Sequence, residues 1–245
     1  MSSLLKDAVL NGDQEEIKEI IKNMKNNENW SLITVIDELT PLLLMESNLT
    51  YGSFHLIKMS LFLREMQIKD YFSRDTEKKL IELISLLLSE RDFVSIKSTR
   101  ENFNKKRDGD YYNKLLEEIN KGNAHNAYYY ALRSLNCDRK KLSEFLLEIG
   151  SRFIPDSLGH SLSCFYPSVK DLIYIDSPHA ETALLSYIMY LCRYSIEESH
   201  RQDLFGESSA GSLPANYSEL TFKCASGKGI VNLHHMITLA VFMLW

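Results

Sequence analysis

Residues 76–88 read TEKKLIELISLLL, with apolar side chains at Leu80, Leu83, Ile84, Leu87 and Leu88 and charged ones at Glu77, Lys78 and Lys79. Steps of three and four residues gather the apolar set on one side of a helix with 3.6 residues per turn, so this reading turns Glu77, Lys78 and Lys79 to water. The same rhythm recurs on the N-terminal side. Ile17, Ile20, Ile21 and Met24 follow the i, i+3, i+4, i+7 pattern, and Asp13, three residues before Glu16, reads as the cap of that helix. A second run covers Trp30 to Leu39, Pro41 marks a new start, and Tyr51-Gly52 introduces an amphipathic segment that continues to Met66.

Outward in the other direction, helices are expected over Tyr111–Ile119, Ala124–Leu135, Lys140–Ile149 and His179–Ser195. Pro155, Pro167 and Pro178 cut 153–177 into short pieces, and Leu172–Ile175 alone has strand character, too short to imply a sheet. The fold class that follows is all-α: a multi-helix bundle or helical-repeat array with a histidine-bearing core.

The most polar stretch, KSTRENFNKKRDGD at 97–110, ends in an Asp-Gly-Asp turn. It reads as a linker or surface loop between an N-terminal helical half, 1–96, and a C-terminal half, 111–245, the two being either separate or packed together as one domain. Residues Gln202–Gly229 form a long polar connection, of a length usually kept for covering a site or meeting a partner. Ile230–Trp245 reads as a buried helix, too short and too polar to span a membrane.

With 245 residues and 44% apolar side chains, the chain can fill one large core or two small ones. A formal net charge of −5 gives no reason to expect a nucleic-acid partner. The start, MSSLLKDAVLNGDQEE, lacks the apolar core of a signal peptide, so the expected location is cytoplasmic. Cys137, Cys164, Cys192 and Cys224 form no CxxC pair and read as small apolar residues buried in separate helices of a reduced protein.

Four segments share a further pattern: YGSFHLIKMSLFL with His55, KGNAHNAYYYALRSL with His125, SLGHSLSCF with His160, and GKGIVNLHHMITLAVFML with His234 and His235. In each, a glycine-containing turn precedes a histidine and then an apolar run, which places the imidazole at a helix start. The positive end of a helix keeps an imidazole neutral, and a neutral ring is the better ligand or hydrogen-bond acceptor. If the helices converge, the rings line a common pocket. The plainer alternative is that each ring fills core volume and bonds a neighbouring carbonyl.

A mononuclear metal site would draw on His55, His125, His160 or His179 with Asp156 or Glu181, the pair His179 and Glu181 being the ligands singled out. Asp156 lies four residues before His160 and could orient that imidazole. Tyr128 follows His125, and Tyr187, Tyr190 and Tyr194 form a stripe at helical spacing, so Tyr128, Tyr187 and Asp156 are the candidate substrate contacts. The glycine-rich fragments Gly159–Ser163 and Gly227–Gly229 match neither a hydrolase elbow nor a phosphate loop.

The segments GNAHNAYYYALRSL and SLGHSLSCF resemble histidine-bearing segments of questin oxidase-like proteins and of helical domains in Rieske-associated proteins, over about 40 residues. The resemblance implies a helical fold with a histidine-lined pocket, puts His125 and His160 first among the candidates, and points to no particular substrate. Two functional classes therefore stand side by side. One is a small-molecule oxidoreductase using His125, His160, His55 and His234 as catalytic residues, its cofactor open and a single metal ion among the options. The other is a helical-repeat interaction module in which the same histidines are structural. A closed site holding at least two imidazoles favours the first.

Overall fold

The computed structural model describes residues 2–24, 30–45, 54–93, 111–153 and 160–205. The first half contributes α1 (Ser2–Asn11), α2 (Gln14–Asn23), α3 (Leu32–Leu44), α4 (Phe54–Ile68) and α5 (Arg74–Ser89). The second contributes α6 (Tyr111–Asn120), α7 (Ala124–Cys137), α8 (Arg139–Arg152), the short α9 (His160–Ser163) and α10 (Tyr166–Ser168), a π-helical turn (Val169–Tyr174), and the long α11 (Ala180–Phe205). The protein is thus an all-α, multi-helix bundle. One continuous apolar core runs from Leu5 on α1 to Cys192 on α11. Helix α11 packs on α3, and α10 packs on α4, so elements on both sides of the polar 97–110 stretch share that core. The 97–110 stretch itself, like Ile230–Trp245, lies outside the described residues.

Local signals account for several helix ends. Glu16 donates its backbone N–H to Asp13 Oδ1 at 2.9 Å, the expected cap of α2. Ser31 and Thr34 form a reciprocal capping box on α3, and Asn123 and Asp138 cap α7 and α8.

Three sequence expectations are corrected. Pro41 does not start a new helix but lies inside α3. An interior proline costs about 3 kcal/mol. Leu39, Leu42, Leu43 and Leu44, all buried, flank it, and burying each leucine is worth about 1.5–3 kcal/mol, so continuity of the helix wins.

The buried face of α5 is also rotated from the expected one. Glu77, Ile81, Ile84, Ser85 and Leu88 point inward, while Leu83 is 54% exposed and Leu87 is also exposed. The segment carries apolar residues on more than one face, so its own pattern does not fix its phase. Glu77 settles it. Its carboxylate accepts the Leu32 N–H at the start of α3 at 3.4 Å and lies 3.5 Å from Arg74, which gives the buried charge partners that water would otherwise supply.

Finally, Leu172–Ile175 is not extended. It belongs to the π turn and the residue after it, with Arg139 Nη1 donating to the Ile173 carbonyl at 2.9 Å and Arg139 Nη2 paired with Asp176 at 2.6 Å.

Candidate metal centre

His160 opens α9, and the Cys164 N–H donates to the His160 carbonyl at 3.1 Å, so the two residues stand one helical turn apart. Side chains at i and i+4 project from the same face of a turn, which brings the imidazole and the thiol together. His55, second residue of α4, meets them from the other half of the chain. The His55 and His160 rings touch edge to face, with centroids 4.8 Å apart and planes at 72°. One ligand atom from each of His55, His160 and Cys164 lies within 4.8 Å of the other two. His160 is 3% exposed and Cys164 0%, while His55 is half-buried and forms the outer member.

Short α9 has too few residues to hold itself in place, and its position comes from a clasp with α8 and α11. Ser161 Oγ donates to the Gly150 carbonyl at 2.7 Å. The Tyr187 hydroxyl donates to the Ser161 carbonyl at 2.8 Å and lies 3.2 Å from the Leu146 carbonyl. Phe165, just after Cys164, stacks on the Tyr187 ring at 4.4 Å and leans on Tyr190 at 4.8 Å. These contacts aim His160 and Cys164 without touching either ligand atom.

The cluster holds two nitrogen donors and one sulfur donor. A tetrahedral zinc site has bonds of about 2.0–2.3 Å, hence ligand atoms roughly 3.3–3.7 Å apart. The three side chains would need to close by no more than about 1.5 Å, a movement within the reach of side-chain torsions. The set is therefore capable of ligating a single metal ion. Burial pushes the Cys164 thiol up to about 11, against the smaller opposing influences of the Lys58 ammonium and a hydrogen bond with Ser163. A metal bound there has to displace that proton.

The other nominated residues stand elsewhere. His125 is exposed near the start of α7. His179 is half-buried just before α11, its backbone N–H on Ser177 Oγ at 3.2 Å, and Glu181 is exposed; neither belongs to the cluster. Tyr128 is buried, its hydroxyl donating to the Glu181 carbonyl at 3.4 Å, so it ties α7 to α11. Tyr187 faces the clasp. Asp156 and His234 lie outside the described residues. An open hollow lined by Ser31, Gln67, Asp70, Ser73, Arg74 and Glu77 shares no residue with the cluster.

Cys164 is the member that sequence reasoning passed over. With no CxxC partner it reads as an apolar filler like the other cysteines, although the H-x-x-x-C spacing of His160-Ser161-Leu162-Ser163-Cys164 carries the signal in a helix. The described portion of the chain contains no helix long and apolar enough to cross a membrane. The molecule belongs to the class of all-α bundles with a buried histidine-containing core. No protein-family model, curated protein or solved structure matches it.

The buried thiols and phenol also predict an alkaline weakness. Burial raises Cys164 to about 11 and Cys192 to about 12, from ordinary values near 9, and raises Tyr187 above its ordinary 10. Below pH 9 both folded and unfolded chains keep these protons, and the full stability is present. Above it the unfolded chain ionises while the folded one resists, so stability is lost as pH rises through the folded values. Denaturant midpoints should hold from pH 7 to 9 and fall steadily between pH 9 and 11; a flat profile over that upper range would contradict the burial of these groups.

Proposed function

We propose that the protein is a metal-dependent oxidoreductase acting on a small molecule, with one ion held by His55, His160 and Cys164. The observation that carries this reading is the approach of two imidazoles and a thiol, within 4.8 Å of one another, from helices on opposite sides of the chain's polar middle. The meeting of two imidazoles and a thiol at one point supports the enzyme reading over the interaction module. An ion held by this set supplies Lewis acidity and, if redox-active, one-electron chemistry.

The chain's own residues supply the rest. His160 and Cys164 sit where neighbouring side chains exclude water, which strengthens each electrostatic contact made there. Half-buried His55 forms the side from which a small molecule would approach. The Ser161–Gly150–Tyr187 clasp keeps α9 and the turn after it in register so that His160 and Cys164 stay aimed at one point.

Cobalt(II) tests occupancy, because a thiolate ligand gives it a charge-transfer band in the near ultraviolet. Titration of the metal-free full chain should reach one equivalent with that band present. Cys164→Ser should abolish the band, and His55→Ala should weaken binding. Turnover is tested separately with a panel of quinones and phenols and an electron donor or acceptor. A metal-dependent rate lost in Cys164→Ser supports catalysis, whereas equal rates in the two proteins would remove the enzyme reading and leave a structural metal.

A further inference from the structure

Resting on the reading of His55, His160 and Cys164 as one metal centre, we infer that the centre selects copper(I), held in three-coordinate N2S geometry.

Three features of the cluster lead to that choice. The first is donor type. Two imidazoles and a thiolate, with no carboxylate in the set, are a poor match for magnesium, calcium or manganese and a good one for the soft and borderline ions copper(I) and zinc(II). The second is number. Structural zinc takes four ligands and catalytic zinc three plus a water, whereas copper(I), singly charged and soft, is satisfied by three. The described residues bring together three donors, and two of them are almost wholly shut off from solvent.

Net charge is the third feature and the one that separates the two ions. On binding, the thiol proton leaves to solvent, Cys164–SH + Cu⁺ → Cys164–S–Cu + H⁺. No electron is transferred, and both imidazoles remain neutral. The product is uncharged. Zinc(II) in the same place would leave one unit of positive charge beside the buried His160 and Cys164, with no carboxylate among the described residues of the cluster to balance it. Lys58, one turn along α4 from His55, adds a positive charge to the helix that carries one of the ligands. It therefore raises the cost of a cationic complex and leaves a neutral one less affected. Leu162 and Phe165, both buried beside the ligands in sequence, belong to the surrounding apolar core and keep the local dielectric low.

The test uses the full chain with Cys137→Ser, which removes the exposed thiol on α7, under anaerobic conditions. Copper(I) is supplied against a chromogenic copper(I) chelator, and bound metal is counted and examined by X-ray absorption. The expected result is one copper(I) per chain with a three-coordinate edge and a shell fitted by two nitrogens and one sulfur. A hundredfold excess of zinc(II), roughly, should not displace it, and Cys164→Ser should weaken it on the order of a hundredfold or more. His55→Ala, at the half-buried position least able to disturb the core, serves as the second variant, with helical circular dichroism checking that each protein folds. It should also lose the three-coordinate edge.

Cobalt(II) or zinc(II) bound through Cys164, with copper(I) no tighter than in Cys164→Ser, would overturn the copper(I) assignment and leave the metal centre standing. Failure of every ion to bind through Cys164 would remove the centre and this inference together.

Discussion

Gly150→Ala is expected to destabilise the protein by about 2–4 kcal/mol, although alanine is the better helix former by about 1 kcal/mol. Gly150 lies near the end of α8, and a Cβ there would sit well inside contact distance of the Tyr187 hydroxyl, 3.2 Å from its Cζ and 3.0 Å from the Ser161 carbonyl oxygen. Two of these neighbours are the groups that hold α9. The Tyr187 hydroxyl cannot withdraw without giving up its hydrogen bond to the Ser161 carbonyl, and its ring is fixed by stacking on Phe165. Crowding and loss of buried hydrogen bonds therefore act together, and both exceed the gain in helix propensity.

In a domain of this size the expected fall in melting temperature is roughly 5–15 °C. Tyr187→Phe alone should cost about 1–3 kcal/mol, since it takes the hydroxyl donor away from the buried Ser161 carbonyl. Combining the two changes separates the causes. Phenylalanine removes the atom that a Cβ meets first, so the double variant should be less destabilised than the sum of the single ones. Strict additivity, measured by denaturant unfolding, would refute the clasp.

The second large effect is stabilisation by metal. An ion that binds the folded chain alone stabilises it by RT ln(1 + [L]/Kd), about 2.7 kcal/mol when the free metal is a hundredfold above Kd. For zinc(II), used as a convenient probe, this corresponds to a rise of roughly 5–10 °C in melting temperature, increasing with the logarithm of free metal. Because the ligands come from α4, from α9 and from the turn just after α9, the gain should appear as protection of these segments from hydrogen exchange. His160→Ala and Cys164→Ser should each erase the shift. The metal-free His160→Ala chain will also be less stable than the parent, since removing a buried ring leaves a cavity. The diagnostic quantity is the difference between metal-loaded and metal-free melting for each variant. An equal shift in all of them would place the ion elsewhere.

The two predictions meet at α9. A four-residue helix contributes little stability of its own, since a single turn fixes several residues for few hydrogen bonds. Its geometry is inherited from α8 and α11, so the clasp and the ligands form one cooperative unit. Gly150→Ala should therefore weaken metal binding as well as folding, with cobalt(II) affinity falling while the thiolate band keeps its shape in the fraction still bound.

Helix positions in this chain are largely a local property. Capping groups such as Asp13 and Asn123, and the three-and-four spacing of Ile17, Ile20, Ile21 and Met24, act within one or two turns, so a reader of residue order sees what the folding chain uses. Histidines at helix starts were legible for the same reason: His55 is second in α4, His125 second in α7 and His160 first in α9. Pro41 shows where local rules yield, because the leucines on either side gain more by continuing the helix than the proline loses. Phase is less local still. The residues 76–88 carry apolar side chains on more than one face, and the face that turns inward was decided by packing on α1, α2 and α3 and by the Leu32 N–H that α3 offers Glu77.

Convergence is not local at all. His55 and His160 are separated by more than a hundred positions, and no spacing rule says that their rings will touch while His125 remains exposed. Cys164 needed both kinds of information. Its i+4 relation to His160 is written in the residue order, but the significance of that spacing depends on a short helix whose hold comes from Tyr187, Ser161 and Gly150, and on a third ligand delivered by α4. Local hydrogen bonding and side-chain periodicity determine where helices form; burial, paired charges and contacts between distant segments determine which faces meet, and the site exists only at such a meeting.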